Sequence, residues 1–260
     1  MTHQVSARSK ALTQAGLPAK TGLYDPVNEH DACGVGMIAN INNEKSHRVI
    51  ADGLRILGNL EHRGAVGADP KAGDGAGILL QIPHDFFSAE AKRLGFTLPD
   101  AGDYGVGFVF LPRDPAVRER IEQIFAKAAL EENLEVLGWR DVPVDPDVLG
   151  TSVRPTEPFH RQVFVARGPR FKDTDPLAFA RKLVVMRKVV SNRVTAITDT
   201  DSSGYYVVSM SPDTIVYKGL VLGVNLGEYY LDLKNPRVTS ALALVHQRFS
   251  TNTFPSWPLA

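Results

Sequence analysis

The chain has 260 residues, of which 29 are lysine or arginine and 29 are aspartate or glutamate, so its formal net charge is zero. A nucleic-acid or anionic-membrane partner would favour an excess of basic residues, and the overall balance gives no sign of one. No apolar run approaches the roughly 18 residues of a membrane helix, and the N-terminus lacks the apolar core of a secretory signal, which together predict a cytoplasmic protein.

The first predicted segment, residues 1–32, is polar and shows no sustained periodicity. Residues that break helices and strands are spread along it, namely Gly16, Pro18, Gly22 and Pro26. This composition is typical of a leader or an arm rather than of a packed element. We therefore predict a leader at 1–32 and a folded domain over 33–260.

Cys33 is the single cysteine of the chain, which excludes an internal disulfide and a multi-thiolate metal site. The histidines show no paired metal-ligand spacing, so no metal site is predicted. One interpretation of Cys33 is a buried thiol that acts as a small apolar side chain. The other is a nucleophile, because Gly34 and Gly36 let the backbone approach another group closely. Its base would be a histidine or, if residues 1–32 are removed, its own α-amine, whose unperturbed pKa is about 7.7 to 8.0.

Hydrophobic periodicity predicts eight strands along the rest of the chain. They cover residues 34–41, 78–82, 104–111, 134–144, 162–166, 205–210, 214–217 and 241–246. The turn residues Ser211-Pro212-Asp213 predict a hairpin between the two strands that flank them.

Three helices are predicted between these strands. The first covers 46–60, and the other two begin at the Asp-Pro pairs 114–115 and 175–176, which supply an N-cap and a first helical residue. The predicted buried stripe of the second helix is Val117, Ile121, Ile124 and Ala128. The mixture of directly successive strands and strands separated by helices predicts an α+β fold with layered sheets rather than a doubly wound parallel sheet.

The glycine-rich stretch Gly73-Asp74-Gly75-Ala76-Gly77 superficially resembles a nucleotide-binding loop. Such a loop follows a strand and opens a helix, so that phosphate binds at the helix N-terminus. Here the stretch leads into a strand. The pattern therefore favours a tight loop beside an active site over dinucleotide binding.

Arg248 lies just past the last predicted strand, with Thr251 and Asn252 close behind it. The planar guanidinium fork matches a carboxylate, so Arg248 is a candidate receptor for an α-carboxylate group. The alternative interpretation is a strand-end arginine paired with a surface acid, which would contribute little.

Four ordered stretches resemble the amidotransferase region of glutamate synthase large subunits, and the resemblance runs from about residue 24 to residue 260. They are Asp31-Ala32-Cys33-Gly34-Val35-Gly36, His62-Arg63-Gly64-Ala65, Gly73-Asp74-Gly75-Ala76-Gly77 and the stretch from His246 to Pro255. The resemblance implies a class II glutamine amidotransferase domain. It also implies the N-terminal-nucleophile hydrolase fold, a four-layer αββα sandwich with stacked antiparallel sheets, here incomplete.

The same resemblance implies the roles of single residues. Cys33 is the nucleophile that attacks the side-chain amide of L-glutamine after the leader is cleaved, and its freed amine is the base. Arg248 and Thr251 bind glutamine, and Arg63 helps to order the site. The family's oxyanion Asn-Gly pair and the aspartate that holds the ligand amine would lie beyond Ala260, so the chain alone is expected to be weakly active or inactive.

For the whole enzyme the resemblance implies glutamate synthesis from 2-oxoglutarate, with flavin mononucleotide (FMN) and an iron–sulfur cluster carried by other regions and none by this chain. The implied partners are the remaining synthase domains and a small electron-donating subunit, with no nucleic acid and no membrane. Three alternatives stay open: another class II amidotransferase, a non-catalytic binding or assembly module, and a papain-like Cys-His protease.

Overall fold

A computed structural model describes residues 20–22, 25, 34–61, 69–168, 175, 177–198, 204–248, 250 and 254–260. The chain divides into two compact units, Met1–Cys33 and Gly34–Ala260. In the first unit the ammonium group of Lys20 donates a hydrogen bond to the carboxylate of Asp25 at 2.7 Å. All of the described helices and strands belong to the second unit.

Eight strands in the described residues form two antiparallel sheets. In chain order, β1 to β8 span Val35–Ala39, Ala76–Gln81, Tyr104–Leu111, Glu135–Asp141, Phe159–Ala166, Tyr206–Ser211, Thr214–Gly219 and Leu242–Gln247. The first sheet has the strand order β1-β8-β2-β7, and the second has the order β4-β5-β3-β6. The first sheet therefore unites strands from both ends of the unit.

Five α-helices accompany these sheets in the described residues. In chain order, α1 to α5 span His47–Asn59, His84–Arg93, Pro115–Glu131, Ala178–Thr195 and Leu226–Tyr229. Helix α3 begins as its Asp-Pro pair predicts, because the Asp114 carboxylate accepts a hydrogen bond from the Ala116 amide at 2.9 Å. Helix α1 lies close on the first sheet, since a Cβ at Gly53 would come within 2.9 Å of the Ala243 Cβ.

Two apolar clusters hold the layers together. The first contains residues of both sheets, where Phe108 of β3 and Tyr217 of β7 meet edge to face with ring centroids 5.2 Å apart. The second lies between the other face of the second sheet and helices α3 and α4, and includes Phe125, Val163 and Leu183. The prediction of an α+β fold with layered antiparallel sheets is confirmed.

Two predictions about local structure are wrong in detail. Strands β6 and β7 do not form a hairpin, because β6 pairs with β3 whereas β7 pairs with β2 in the other sheet. The Val216 amide of β7 donates to the side-chain oxygen of Ser209 in β6 at 3.1 Å. The acceptor of this amide is therefore a side chain and not a backbone carbonyl of a paired strand. In α3 the buried stripe is Ile121, Phe125, Ala128 and Ala129, with Val117 and Ile124 only partly buried.

A buried ion pair supports the packing between the sheets. The Arg140 guanidinium of β4 donates to both carboxylate oxygens of Asp232 at 2.7 Å, and each residue is 3% exposed. The hydroxyl of Tyr217 donates to the same carboxylate at 3.0 Å. Removal of one partner of such a pair is strongly destabilising, because the other charge is left buried and uncompensated.

His160 of β5 gives the fold a predictable sensitivity to acid. It is 4% exposed, with its ring nitrogens 3.0 Å from the Tyr229 hydroxyl and 3.2 Å from the Tyr230 hydroxyl. Burial, with a smaller contribution from the charge of Arg113, lowers the pKa of His160 to about 3 from an ordinary value of 6.5. Between these values the unfolded chain binds a proton that the folded chain does not, so the free energy of unfolding falls as pH decreases.

We expect His160→Phe to remove this loss of stability. Both tyrosine hydroxyls keep an acceptor in the variant, Glu157 for Tyr229 and the Lys218 carbonyl for Tyr230. Between pH 7 and pH 5 the variant should lose about 2 kcal/mol less unfolding free energy than the parent, measured by urea denaturation. Phe110→Leu loosens the same cluster without removing a titratable group and should keep the parental slope. Equal slopes for His160→Phe and the parent would contradict the assignment.

Candidate functional site

Three stretches that are distant in sequence meet at one edge of the first sheet. The Gln247 amide at the end of β8 donates to the Gly34 carbonyl at 2.6 Å, and the Arg248 amide donates to the Gly75 carbonyl at 2.9 Å. Because β1 and β2 both run antiparallel to β8, their first residues lie beside its last residues. Gly34, which follows Cys33 in the chain, therefore lies close to Arg248, and so does the glycine-rich stretch.

Gly34 is required by a close backbone approach at this edge. A Cβ added to it would lie 2.2 Å from the backbone oxygen of Gln247, a distance that no side chain tolerates. The backbone of β8 thus passes directly against the residue next to Cys33. This geometry agrees with the use predicted for the glycine after the cysteine.

The glycine-rich stretch forms the tight loop that the sequence predicts, and β2 begins within it at Ala76. Gly75 has a φ of +124°, which favours glycine. Asp74 is 8% exposed, and its carboxylate accepts a hydrogen bond from the Ser250 amide at 2.5 Å. Its carbonyl oxygen accepts a hydrogen bond from the Arg248 guanidinium at 3.3 Å. The loop therefore holds the segment that follows β8.

Two further basic side chains lie near Arg248. Gly77 pairs with His246 on one side and with Lys218 on the other, so all three share one face of the sheet. Burial first, and then the charges of Arg248 and Arg187, lower the pKa of Lys218 to about 8. Burial and Arg248 also lower the pKa of His246. The charges of Arg248 and Lys218 form a cationic surface that suits a carboxylate ligand.

The structure describes one of the four site residues that the sequence predicts. Arg248 lies at the end of β8, as predicted, and its guanidinium donates to Asp74 and to the hydroxyl of Ser250. Cys33, Arg63 and Thr251 lie outside the described residues.

Sequence reasoning missed Asp74 and Lys218. Asp74 was visible as the acid between two glycines of the loop. Lys218 gave no sequence signal, because its place depends on the pairing of β7 with β2.

The chain does not fit the iron–sulfur cluster that the resemblance implies for the whole enzyme. An iron–sulfur cluster is held by several cysteine thiolates, and the sequence has one cysteine. In the part of the chain that the structure describes, no group of three or more His, Cys, Asp or Glu residues could hold a metal ion. Among the same residues, no helix is long and apolar enough to cross a membrane.

Comparison with known proteins gives consistent matches. The family "Glutamine amidotransferases class-II" matches residues 33–260. The chain is 43% identical over 249 residues to the glutamate synthase [NADPH] large chain of Bacillus subtilis, covering 96% of this chain and 16% of that protein. It is 41% identical over 258 residues to ferredoxin-dependent glutamate synthase 1 of Arabidopsis thaliana, covering 99% of this chain and 16% of that protein.

The glutamate synthase [NADH] of Saccharomyces cerevisiae is 42% identical over 254 residues, covering 94% of this chain and 11% of that protein. The chain thus spans about one sixth or less of the length of these curated relatives. The family match covers the whole second unit and includes the sheet edge that carries Arg248. The chain therefore belongs to the class II glutamine amidotransferases.

Proposed function

We propose that this chain is the glutaminase region of a glutamate synthase. It hydrolyses the side-chain amide of L-glutamine and supplies the ammonia for glutamate synthesis from 2-oxoglutarate. The observation that carries the proposal is the sheet edge where Gly34, the loop at Asp74 and Arg248 meet. Gly34 follows the proposed nucleophile directly in the chain, and Arg248 is the proposed carboxylate receptor.

The proposed reaction has two steps. The thiolate of Cys33 attacks the amide carbon of glutamine, the C–N bond breaks, and the amide nitrogen leaves as ammonia after it gains a proton. Water then attacks the thioester, the C–S bond breaks, and glutamate leaves. The α-amine of a processed Cys33 takes and returns the proton, since its ordinary pKa is near neutral.

Arg248 binds the α-carboxylate of the substrate in this proposal, with Thr251 beside it and Arg63 ordering the site. The support for Arg248 is its position past β8 and the cationic surface that it shares with Lys218. Binding one end of glutamine at Arg248 limits the motion of its amide relative to the thiol, which makes attack by the thiol more frequent.

The finer features of the fold belong to the same proposal. Residues 1–32 are a leader that is removed, and 33–260 contribute to a four-layer αββα sandwich of the N-terminal-nucleophile type. The two stacked sheets and the helical layer of α3 and α4 support it. A cytoplasmic location stays a prediction, and some relatives are named as chloroplastic proteins.

The partners are proposed from the names of the relatives. These relatives are glutamate synthases that use NADPH, NADH or ferredoxin. We propose that the remaining synthase domains, with FMN and an iron–sulfur cluster, and a small electron-donating subunit act beside this region. The ammonia that Cys33 releases would be consumed there.

Covalent labelling by a glutamine-like electrophile tests the proposal. 6-Diazo-5-oxo-L-norleucine should alkylate Cys33 with one-to-one stoichiometry in the full polypeptide that contains this chain, as read by peptide mass spectrometry. L-Glutamine should protect Cys33, and the labelled peptide should begin at Cys33.

Iodoacetamide, which needs no glutamine site, serves as the control reagent. A thiol that reacts with iodoacetamide but not with the glutamine analogue would contradict a glutaminase and favour a binding module. Labelling of an active chain that still carries Met1 or Thr2 at its terminus would contradict the amine base.

A further inference from the structure

Asp74 makes the carboxylate contact that fixes the segment after β8. Its Oδ2 atom accepts a hydrogen bond from the Ser250 amide at 2.5 Å. The backbone oxygens of Asp74 and Gly75 accept hydrogen bonds from the side chain and the amide of Arg248, respectively. Two neighbouring loop residues thus hold both ends of the stretch from Arg248 to Ser250.

The loop itself leaves Asp74 little freedom. A Cβ at Gly73 would lie 2.9 Å from the Leu222 side chain and 3.1 Å from the Val221 carbonyl oxygen, so the backbone packs tightly there. Gly75, on the other side, has a φ of +124°. Asp74 is 8% exposed between them. A carboxylate held this way is preorganised, and it imposes its position on the amide that it binds.

We propose that Asp74 is a positioning residue for recognition of the substrate α-carboxylate, and that it acts through Arg248. The carboxylate fixes the backbone at Ser250, and the carbonyl oxygen sets the direction of the guanidinium. This inference rests on the proposed function, because it takes Arg248 as the receptor for glutamine.

Kinetics on the full polypeptide that contains this chain test the inference. Asp74→Ala should raise the KM for glutamine on the order of tenfold to a hundredfold and change kcat by less than about threefold, since the contact serves binding. Asp74→Asn keeps an oxygen acceptor for the Ser250 amide and should recover part of the loss. In an Arg248→Ala background, Asp74→Ala should have almost no further effect, because both changes remove the same interaction.

A substrate without the α-carboxylate separates positioning from general damage. The kcat/KM for 4-aminobutanamide, which is glutamine lacking that group, should be the same for Asp74→Ala and the parent. Asp232→Asn, which weakens the buried pair with Arg140, is the control for lost stability and should leave the KM for glutamine unchanged. Equal losses of kcat/KM for both substrates in Asp74→Ala would overturn the positioning role.

Binding of the product gives a readout that does not need turnover. In a Cys33→Ala background, Asp74→Ala should weaken L-glutamate binding at least about tenfold, measured by calorimetry, and leave any binding of 4-aminobutanoate unaltered. Unaltered glutamate binding would overturn the role of Asp74. Glutaminase turnover that survives Cys33→Ala would instead overturn the proposed nucleophile, so the two failures are distinguishable.

Discussion

The Cys33→Ala variant of the full polypeptide should lose glutamine hydrolysis by a factor on the order of 10⁴ or more. In the proposed reaction the thiol supplies the covalent step, and removal of a nucleophile from a catalytic unit costs about this much. Ammonia release from glutamine, measured in a coupled assay, is the readout. The thermal midpoint should change little, because a thiol and a methyl group pack similarly.

Cys33→Ser is the matched control for the chemistry, because it keeps the size of the side chain and replaces sulfur by a much weaker oxygen nucleophile. It should retain glutamine binding and lose most turnover. N-terminal sequencing of each variant shows whether residues 1–32 have been removed. Parental turnover in Cys33→Ala would show that Cys33 is not the nucleophile.

The Arg248→Ala variant should lose about 2–5 kcal/mol of interaction with glutamine, or roughly 30- to 5,000-fold in kcat/KM. The reason is the loss of the charge-assisted, two-pronged contact that we propose between Arg248 and the substrate carboxylate. Arg248→Lys should recover little, since a point charge does not reproduce the planar fork. Glutamine kinetics on both variants are the measurement.

Arg181→Ala provides the comparison with an ordinary surface ion pair. The guanidinium of Arg181, in α4, lies 2.8 Å from the carboxylate of Asp175, which precedes the helix, and both side chains are exposed. Its loss should change stability by at most about 1 kcal/mol and leave the kinetics unaltered. If Arg248→Ala behaves like Arg181→Ala, Arg248 is a structural residue and not a substrate receptor.

Local patterns in the sequence predicted most single elements of the fold. The alternation of Tyr104 to Leu111 gave β3 with its observed bounds, and Asp114 with Pro115 gave the start of α3. Helix α2 was missed, since its ten residues carry a run of adjacent aromatics, Phe86 and Phe87, rather than a clear stripe. The separation of β6 from β7 was also missed, because it depends on which sheet each strand joins.

The site was predicted less completely, for a related reason. Sequence patterns singled out Arg248 and the glycine-rich stretch separately, and the structure shows that they touch. Their contact follows from the pairing of β2 with β8, which no local pattern specifies. Lys218 became visible only through the pairing of β7 with β2. Residues whose roles depend on register over long sequence separations are the ones that a single sequence leaves unassigned.

The pairing of β1 with β8 has a consequence for how this protein is made. Val35 is opposite His246, so the pairing of β1 with β8 closes a loop of roughly 200 residues. The conformational entropy that the chain loses on closing this loop opposes formation of the pair. On the ribosome, the pairing of β3 with β5 becomes available about 80 residues earlier. The edge that carries Gly34 and Arg248 is therefore among the last parts to assemble. A nascent chain that ends before residue 242 has β1 but no β8 to pair with it, so this sheet edge can assemble only after β8 has left the exit tunnel.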